Sequence, residues 1–242
     1  ELRVTTVRAP VDPREPSDED GEEARQPWDR YCLEHGVRRA LVSAEAGHGK
    51  STLMRWVTWR MATVAAERLR GSRCGIGEVE VPFFFRCRDL EDVQGTGLRP
   101  LEDSMAQALK LLLPEVTGDH EELLVGLLTG PQALIIWDAL DEATSPLALS
   151  ERLQNFAASF PGPRIHLTSR TRDLTPFRWP AHDDGTAYLH LAPFDERSLR
   201  SFIHAWGEIA GAPERSERLI DSLLGCGALQ DIAVIPLYAV LA

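Results

Sequence analysis

The sequence predicts an α/β fold built on a five-stranded parallel sheet, and three observations carry that prediction. Short apolar strand candidates alternate with helical stretches between residues 39 and 191, the pattern of a parallel sheet covered by helices on both faces. A glycine-rich segment, AEAGHGKST at 44–52, sits between the first of these strands and a long helix. Beyond Pro193 the strand candidates stop and only helical stretches follow.

Residues 2–8 (LRVTTVR) read as a short extended segment. A helix is expected from Trp28 to His35, ended by Gly36. The first strand is RALVSA (39–44), and a long amphipathic helix runs from Lys50 to Leu69, stopped by Gly71. VEVPFFFRC (79–87) is the second strand. Helices are expected over 101–113, closed by Pro114, and over 119–129. The third strand is ALIIWD (133–138), followed by a helix near 148–159. RIHLTS (164–169) and TAYLHL (186–191) are the fourth and fifth strands. Residues 195–207, 214–224 and 236–242 read as helices of a separate unit. The chain therefore divides into an extended segment with an acidic linker (1–27), an α/β core (28–192) and the start of a helical domain (193–242).

Composition narrows the class. Of 242 residues, 43% are hydrophobic and 26% charged, ordinary values for a chain with a sizeable core. The net charge of −11 disfavours general binding to nucleic acid or membrane, which needs clustered positive charge. Seven acids and one arginine between Asp12 and Glu23 supply −6 of it, in a stretch with no large apolar residue that reads as a solvated linker. Cys32, Cys74, Cys87 and Cys226 form no CxxC pair, so a zinc site or disulfide framework is not expected. Thiols of this kind suit a reducing compartment, hence a cytoplasmic location. No apolar run is long enough to span a bilayer and no signal peptide is present. The chain begins at Glu1 and ends inside an apolar run, and reads as a fragment of a longer protein.

Lysine occurs only at Lys50 and Lys110, against 24 arginines. A lysine kept at position 50 of such a chain suggests a need for a compact point charge. It lies in the phosphate-loop template G-x-x-x-x-G-K-[ST], which Gly49, Lys50 and Ser51 match while Ala44 replaces the first glycine. The candidate cradle is Ala44, Glu45, Ala46, Gly47, His48, Gly49, Lys50, Ser51 and Thr52. Backbone N–H groups from Gly47 to Ser51 would wrap a β-phosphate, helped by the positive end of the following helix. Lys50 would neutralise β/γ oxygens and Ser51 would ligate Mg²⁺, with Thr52 near an α-phosphate. His48 is a loop position turned to solvent.

Two strand ends add chemistry. ALIIWDALDE (133–142) ends in acids: Asp138 sits where a carboxylate holds the magnesium shell, and Asp141 or Glu142 could orient and deprotonate a water. In RIHLTSRT (164–171), Thr168, Ser169 and Arg170 fall at the strand end where ligands of α/β sheets bind, so all three could face a γ-phosphate, with Arg170 reporting its presence. Trp56 and Trp59 are expected in the core. Arg86 and Arg88 line either a nucleotide, an interface or simple surface salt bridges. The guanine-reading N-K-x-D is absent, which favours adenine.

Together these residues resemble the NACHT group of STAND (signal-transduction) P-loop ATPases. The resemblance rests on Asp138-Ala139-Leu140-Asp141-Glu142, where a small residue follows the first acid, and continues at FFFRCRDL (83–90), TSR (168–170) and LAPFDERSLRSFI (191–203). IPLYAVLA (235–242) is similar to the family's proline segment, and Val4–Arg8 to its lead-in strand. It implies a three-layer P-loop NTPase core of strand order 5-1-4-3-2. It also implies ADP holding a closed form with Pro236 near the adenine, and exchange for ATP driving homo-oligomerisation. Effector and sensor domains would flank the fragment, in a protein of defence or immune type. The enzyme class the resemblance implies is a slow Mg-dependent ATPase. A metabolic P-loop kinase and a hydrolysis-deficient nucleotide-binding scaffold stay open as alternatives.

Overall fold

The computed structural model describes residues 6–8, 26–71, 75–91, 100–112, 121–170, 177–179, 185–225 and 235. The chain opens with two short strands, β1 (Thr6–Arg8) and β2 (Gln26–Pro27), and helix α1 (Trp28–Glu34). Strand β3 (Arg39–Ser43) leads through the glycine loop into α2 (Lys50–Gly71). Next come β4 (Val81–Arg86), α3 (Leu101–Leu112), α4 (Glu121–Thr129), β5 (Ala133–Asp138), α5 (Pro146–Ser159), β6 (Arg164–Ser169) and β7 (Thr186–Leu191). Helices α6 (Glu196–Ile209) and α7 (Ser216–Leu224) follow.

The sheet order is β2-β1-β7-β3-β6-β5-β4. Its five long strands are parallel, and in chain order they read 5-1-4-3-2, as expected. The two added strands are antiparallel: Thr6 and Val7 pair with Pro27 and Gln26, and Val7 and Arg8 with Leu191 and His190. Residues 26–27, read from sequence as linker, are thus held in the sheet because β1 offers them an unpaired edge.

Strand alternation sorts the core into two layers. Ala40, Val42, Leu134, Ile136 and Leu189 face α1 and α2, meeting Trp28, Leu53, Met54 and Val57. Leu41, Phe83, Phe85, Ile135, Trp137 and Leu167 face the opposite side, covered by Met105 of α3, Leu128 of α4 and Leu153 and Phe156 of α5. Helices therefore cover both faces, giving three layers. Burial of roughly twenty large apolar side chains at about 1.5–3 kcal/mol each is what holds them.

Several local readings change. Trp59 is 65% exposed and not core. The 3.6-residue period puts Leu53, Met54 and Val57 inward and turns position 59 outward, whereas Trp56 is half-buried against the core. The second strand is shorter than the run 79–87, because Cys87–Leu90 forms a 3₁₀ turn. Helix α5 starts earlier than read, with Pro146 in its first turn, where proline's fixed φ suits a helix start.

After β7, Phe194, Leu199, Ile203, Ile220 and Leu223 form an apolar cluster of their own between α6 and α7. Asp195 caps α6, its carboxylate accepting the Ser198 N–H at 2.7 Å. The helical reading of 236–242 and the acidic linker of 12–23 fall outside the described residues. Cys32 and Cys87 are buried, and burial pushes the Cys87 thiol well up.

Candidate functional site

The parallel register brings the strand ends to one edge. Ser43 lies beside Ser169 and Arg86 beside Asp138. At that edge the loop after β3 turns back over the sheet. Gly47 (φ 82°) and Gly49 (φ 86°) hold left-handed backbone that side chains resist, which the turn requires. Ala44 has no such φ, and its methyl is fully buried beside Val42 and Met54. A glycine there would leave that space empty, so the departure from the template strengthens packing without straining the loop.

Helix α2 starts at Lys50, and its first intrahelical bond is Leu53 N–H to the Gly49 carbonyl at 2.8 Å. The N–H groups before Leu53 have no intrahelical acceptor, and no acid occupies the first turn to absorb the positive helix end. The Lys50 ammonium arches over the loop, donating to the carbonyls of Ala44 (2.6 Å) and Glu45 (3.0 Å). Burial lowers its pKa and Arg170 adds to this, while Asp141, Glu45 and Asp138 pull it up. One ammonium therefore senses the ends of β5 and β6 together.

Asp138 ends β5 and is 3% exposed. Its Oδ1 accepts the Thr168 hydroxyl at 2.7 Å. The same hydroxyl oxygen accepts the N–H of Ala139 at 2.8 Å. Ala139 stands at φ 59°, ψ 63°, a left-handed conformation a non-glycine residue seldom takes. It turns the chain into the 3₁₀ turn Leu140–Glu142, which carries Asp141 back to Arg170. Arg170 donates its backbone N–H to Asp141 Oδ1 (3.1 Å) and its Nε to Oδ2 (2.8 Å). Glu142 is half-exposed, with Arg88 Nη1 at 3.7 Å.

The sequence-predicted residues Lys50, Asp138, Asp141 and Arg170 are thus brought together. Ser51 is half-buried and Thr52 exposed at the start of α2, and Glu45 and Ala46 are exposed. His48 is half-buried, its Nδ1 3.3 Å from the Ala46 carbonyl. Ser169 is fully buried on the face of Leu167, its hydroxyl without a hydrogen-bond partner. Among the described residues Arg88 makes long, exposed ion pairs with Glu142 and with Asp89 at 3.8 Å, the salt-bridge reading. Pro236 lies outside the described residues. Two contacts were not read from sequence: Thr168 with Asp138, and Glu91 with the N–H groups of Thr144 (2.8 Å) and Ser145 (2.7 Å). Only the strand register, which pairs Trp137 with Leu167, could have signalled the first.

Among the described residues no group of three or more His, Cys, Asp or Glu could hold a metal ion, and no helix is long and apolar enough to cross a membrane. One buried carboxylate, a helix-start serine, the N–H groups of the helix start and an ammonium fit a nucleoside polyphosphate with Mg²⁺, an ion bound by few protein ligands plus phosphate.

Fold and site define a P-loop NTPase core. The family model for the NACHT domain matches residues 38–209, and the chain belongs to the NACHT domain family, a family of nucleotide-binding ATPase modules. Among solved structures, it is similar to a DNA replication initiation factor: 14% identity, TM-score 0.45, 81% of this chain and 53% of that one. It is also similar to the STAND protein with a tetratricopeptide repeat sensor from Pyrococcus horikoshii: 14% identity, TM-score 0.40, 88% and 30%. The Aeropyrum pernix ORC1 protein, solved in complex with DNA, gives 17% identity, TM-score 0.41, 70% and 43%. The chain thus spans about half or less of each, and at these scores nothing specific to them carries over. No curated protein matches the sequence.

Proposed function

We propose that this module binds ATP and ADP with Mg²⁺, hydrolyses ATP slowly, and converts nucleotide state into a change of shape. The observation that carries the reading is the convergence of Lys50, Asp138, Asp141 and Arg170 at one sheet edge, above a loop with two left-handed glycines. Residues 44–52 would cradle the phosphates, with Lys50 on the β/γ oxygens. Ser51 and Asp138 would hold Mg²⁺, and Pro236 would stand near the adenine. Bound Mg²⁺ supplies neutralisation of the charge that grows between the β- and γ-phosphates.

The chain's own residues do the rest. Arg170 holds Asp141 in place through two contacts and carries the charge that a γ-phosphate would attract. Asp141 or Glu142 takes the proton of the attacking water at its carboxylate. Single-turnover hydrolysis with Asp141→Asn and Glu142→Gln separates the two, and unchanged rates in both would discard the catalytic assignment.

Family membership supports assembly of several copies on activation, flanking effector and sensor domains, a cytoplasmic location and a defence or immune-type role. We also place the boundary between the core and the helical domain at 192/193, where the separate apolar cluster begins.

The deciding experiment is identification of the nucleotide that copurifies, alongside titration of fluorescent ADP into wild type and Lys50→Ala. Tightly held ADP, lost in Lys50→Ala by a factor of about 100 or more, is expected. Retained affinity in Lys50→Ala would overturn the phosphate-loop reading, and an empty, fast-exchanging site would favour the metabolic kinase.

A further inference from the structure

We propose that Thr168 is a positioning residue for magnesium: its hydroxyl fixes the Asp138 carboxylate and the turn behind it, and does not read the γ-phosphate itself. The proposal rests on the assignment of Asp138 to the magnesium shell.

A hydroxyl has one hydrogen to donate and two lone pairs. The Thr168 hydrogen goes to Asp138 Oδ1 at 2.7 Å, and one lone pair takes the Ala139 N–H at 2.8 Å. Thr168 is fully buried, so water does not compete for either contact. No hydrogen remains for a phosphate oxygen. The geometry assigns the task differently: Oδ1 is pinned, and Oδ2 of the same carboxylate is oriented by it as the metal-side oxygen.

The second contact matters as much. Ala139 in left-handed backbone costs about 1 kcal/mol or more. Its N–H would lose its acceptor without Thr168. That single residue is where the chain leaves β5 and swings Asp141 toward Arg170. Thr168 and Arg170, two residues apart, therefore fasten the segment 138–141 at both ends. Partners that orient metal-binding carboxylates typically affect metal affinity by about 10–100-fold.

The test is Mg²⁺ titration of nucleotide affinity, using fluorescent ADP and a fluorescent non-hydrolysable ATP analogue, each also measured in EDTA. Thr168→Val is close in shape and lacks the hydroxyl; Thr168→Ser keeps it. The valine variant should need about tenfold or more Mg²⁺ for half-maximal enhancement of affinity, with its affinity in EDTA unchanged. The serine variant should stay within about threefold of wild type. Thermal melts establish folding, and Thr168→Ala gives the same reading should the valine not be accommodated.

A Mg²⁺ requirement unchanged in both the valine and alanine variants overturns the proposal. So does a loss confined to the ATP analogue and independent of Mg²⁺, which would make Thr168 a γ-phosphate contact. Wild type that binds nucleotide through Lys50 yet gains nothing from Mg²⁺ removes Asp138 from the metal, and this proposal with it. Wild type that binds no nucleotide at all sinks the functional reading as a whole, a result distinct from those.

Discussion

Asp141 and Arg170 hold each other through two separate contacts, one from the arginine backbone and one from its guanidinium. The Asp141 side chain is 6% exposed and that of Arg170 50%, so one half of the pair is dry and the other open to a ligand. An anion arriving from the open side competes for the guanidinium while the backbone contact persists. Arg170→Ala is expected to reduce the preference for ATP over ADP by about tenfold while leaving ADP affinity near wild type. Paired fluorescence titrations check this, and an unchanged ratio counts against Arg170 as the reader.

Ala139 should tolerate very few residues. Its left-handed φ strains any β-branched side chain, so Ala139→Val is expected to cost about 1–3 kcal/mol. Ala139→Gly relieves that strain and should hold or raise the melting temperature. A chain of this size loses about 2–4 °C per kcal/mol, which circular-dichroism melts resolve.

His166 supplies a pH dependence. Burial, with a smaller push from Arg164, lowers its pKa to about 3, and both ring nitrogens are without hydrogen-bond partners among the described residues. It packs edge-on against Trp28 at 5.1 Å between centroids. The unfolded chain takes up this proton near pH 6.5 and the native state does not until about 3. Stability is therefore lost as pH falls below about 6.5, by about 1.4 kcal/mol per pH unit from this group. Urea unfolding from pH 7 to 5 should show that slope, and His166→Phe, which keeps the aromatic contact, should lack it.

Glu91 acts in the same direction, at lower pH. Burial opposes its ionisation, but hydrogen bonds from Thr144 and Ser145 outweigh this and lower its pKa. Its stabilisation is present above the unfolded carboxylate range and fades as pH falls through the lowered folded value. Glu91→Gln should cost about 1 kcal/mol at neutral pH and nothing in strong acid, measured by denaturant unfolding.

The sequence exposed some features and hid others for physical reasons. ALIIWD is legible to the residue because a fully buried strand is a continuous apolar run between turn residues, and RIHLTS because Ile165 and Leu167 alternate directly after the turn residues Pro161, Gly162 and Pro163. Val79 and Cys87 are as buried as strand residues yet belong to turns, so burial alone overextended that strand. Trp59 resembles a core residue in size and apolarity, but its angular position on α2 turns it outward. The phosphate loop was legible because its members are contiguous. Thr168 with Asp138 and Arg170 with Asp141 join residues far apart in sequence, and only the pairing of β5 with β6 makes them neighbours.

The sheet ends in β2, two residues long and closed by Pro27, and in β4, which carries Pro82. Proline removes a backbone donor, and so short a strand offers almost no ladder. Among the described residues these two rims therefore offer a foreign strand little to pair with, a brake on edge-to-edge aggregation.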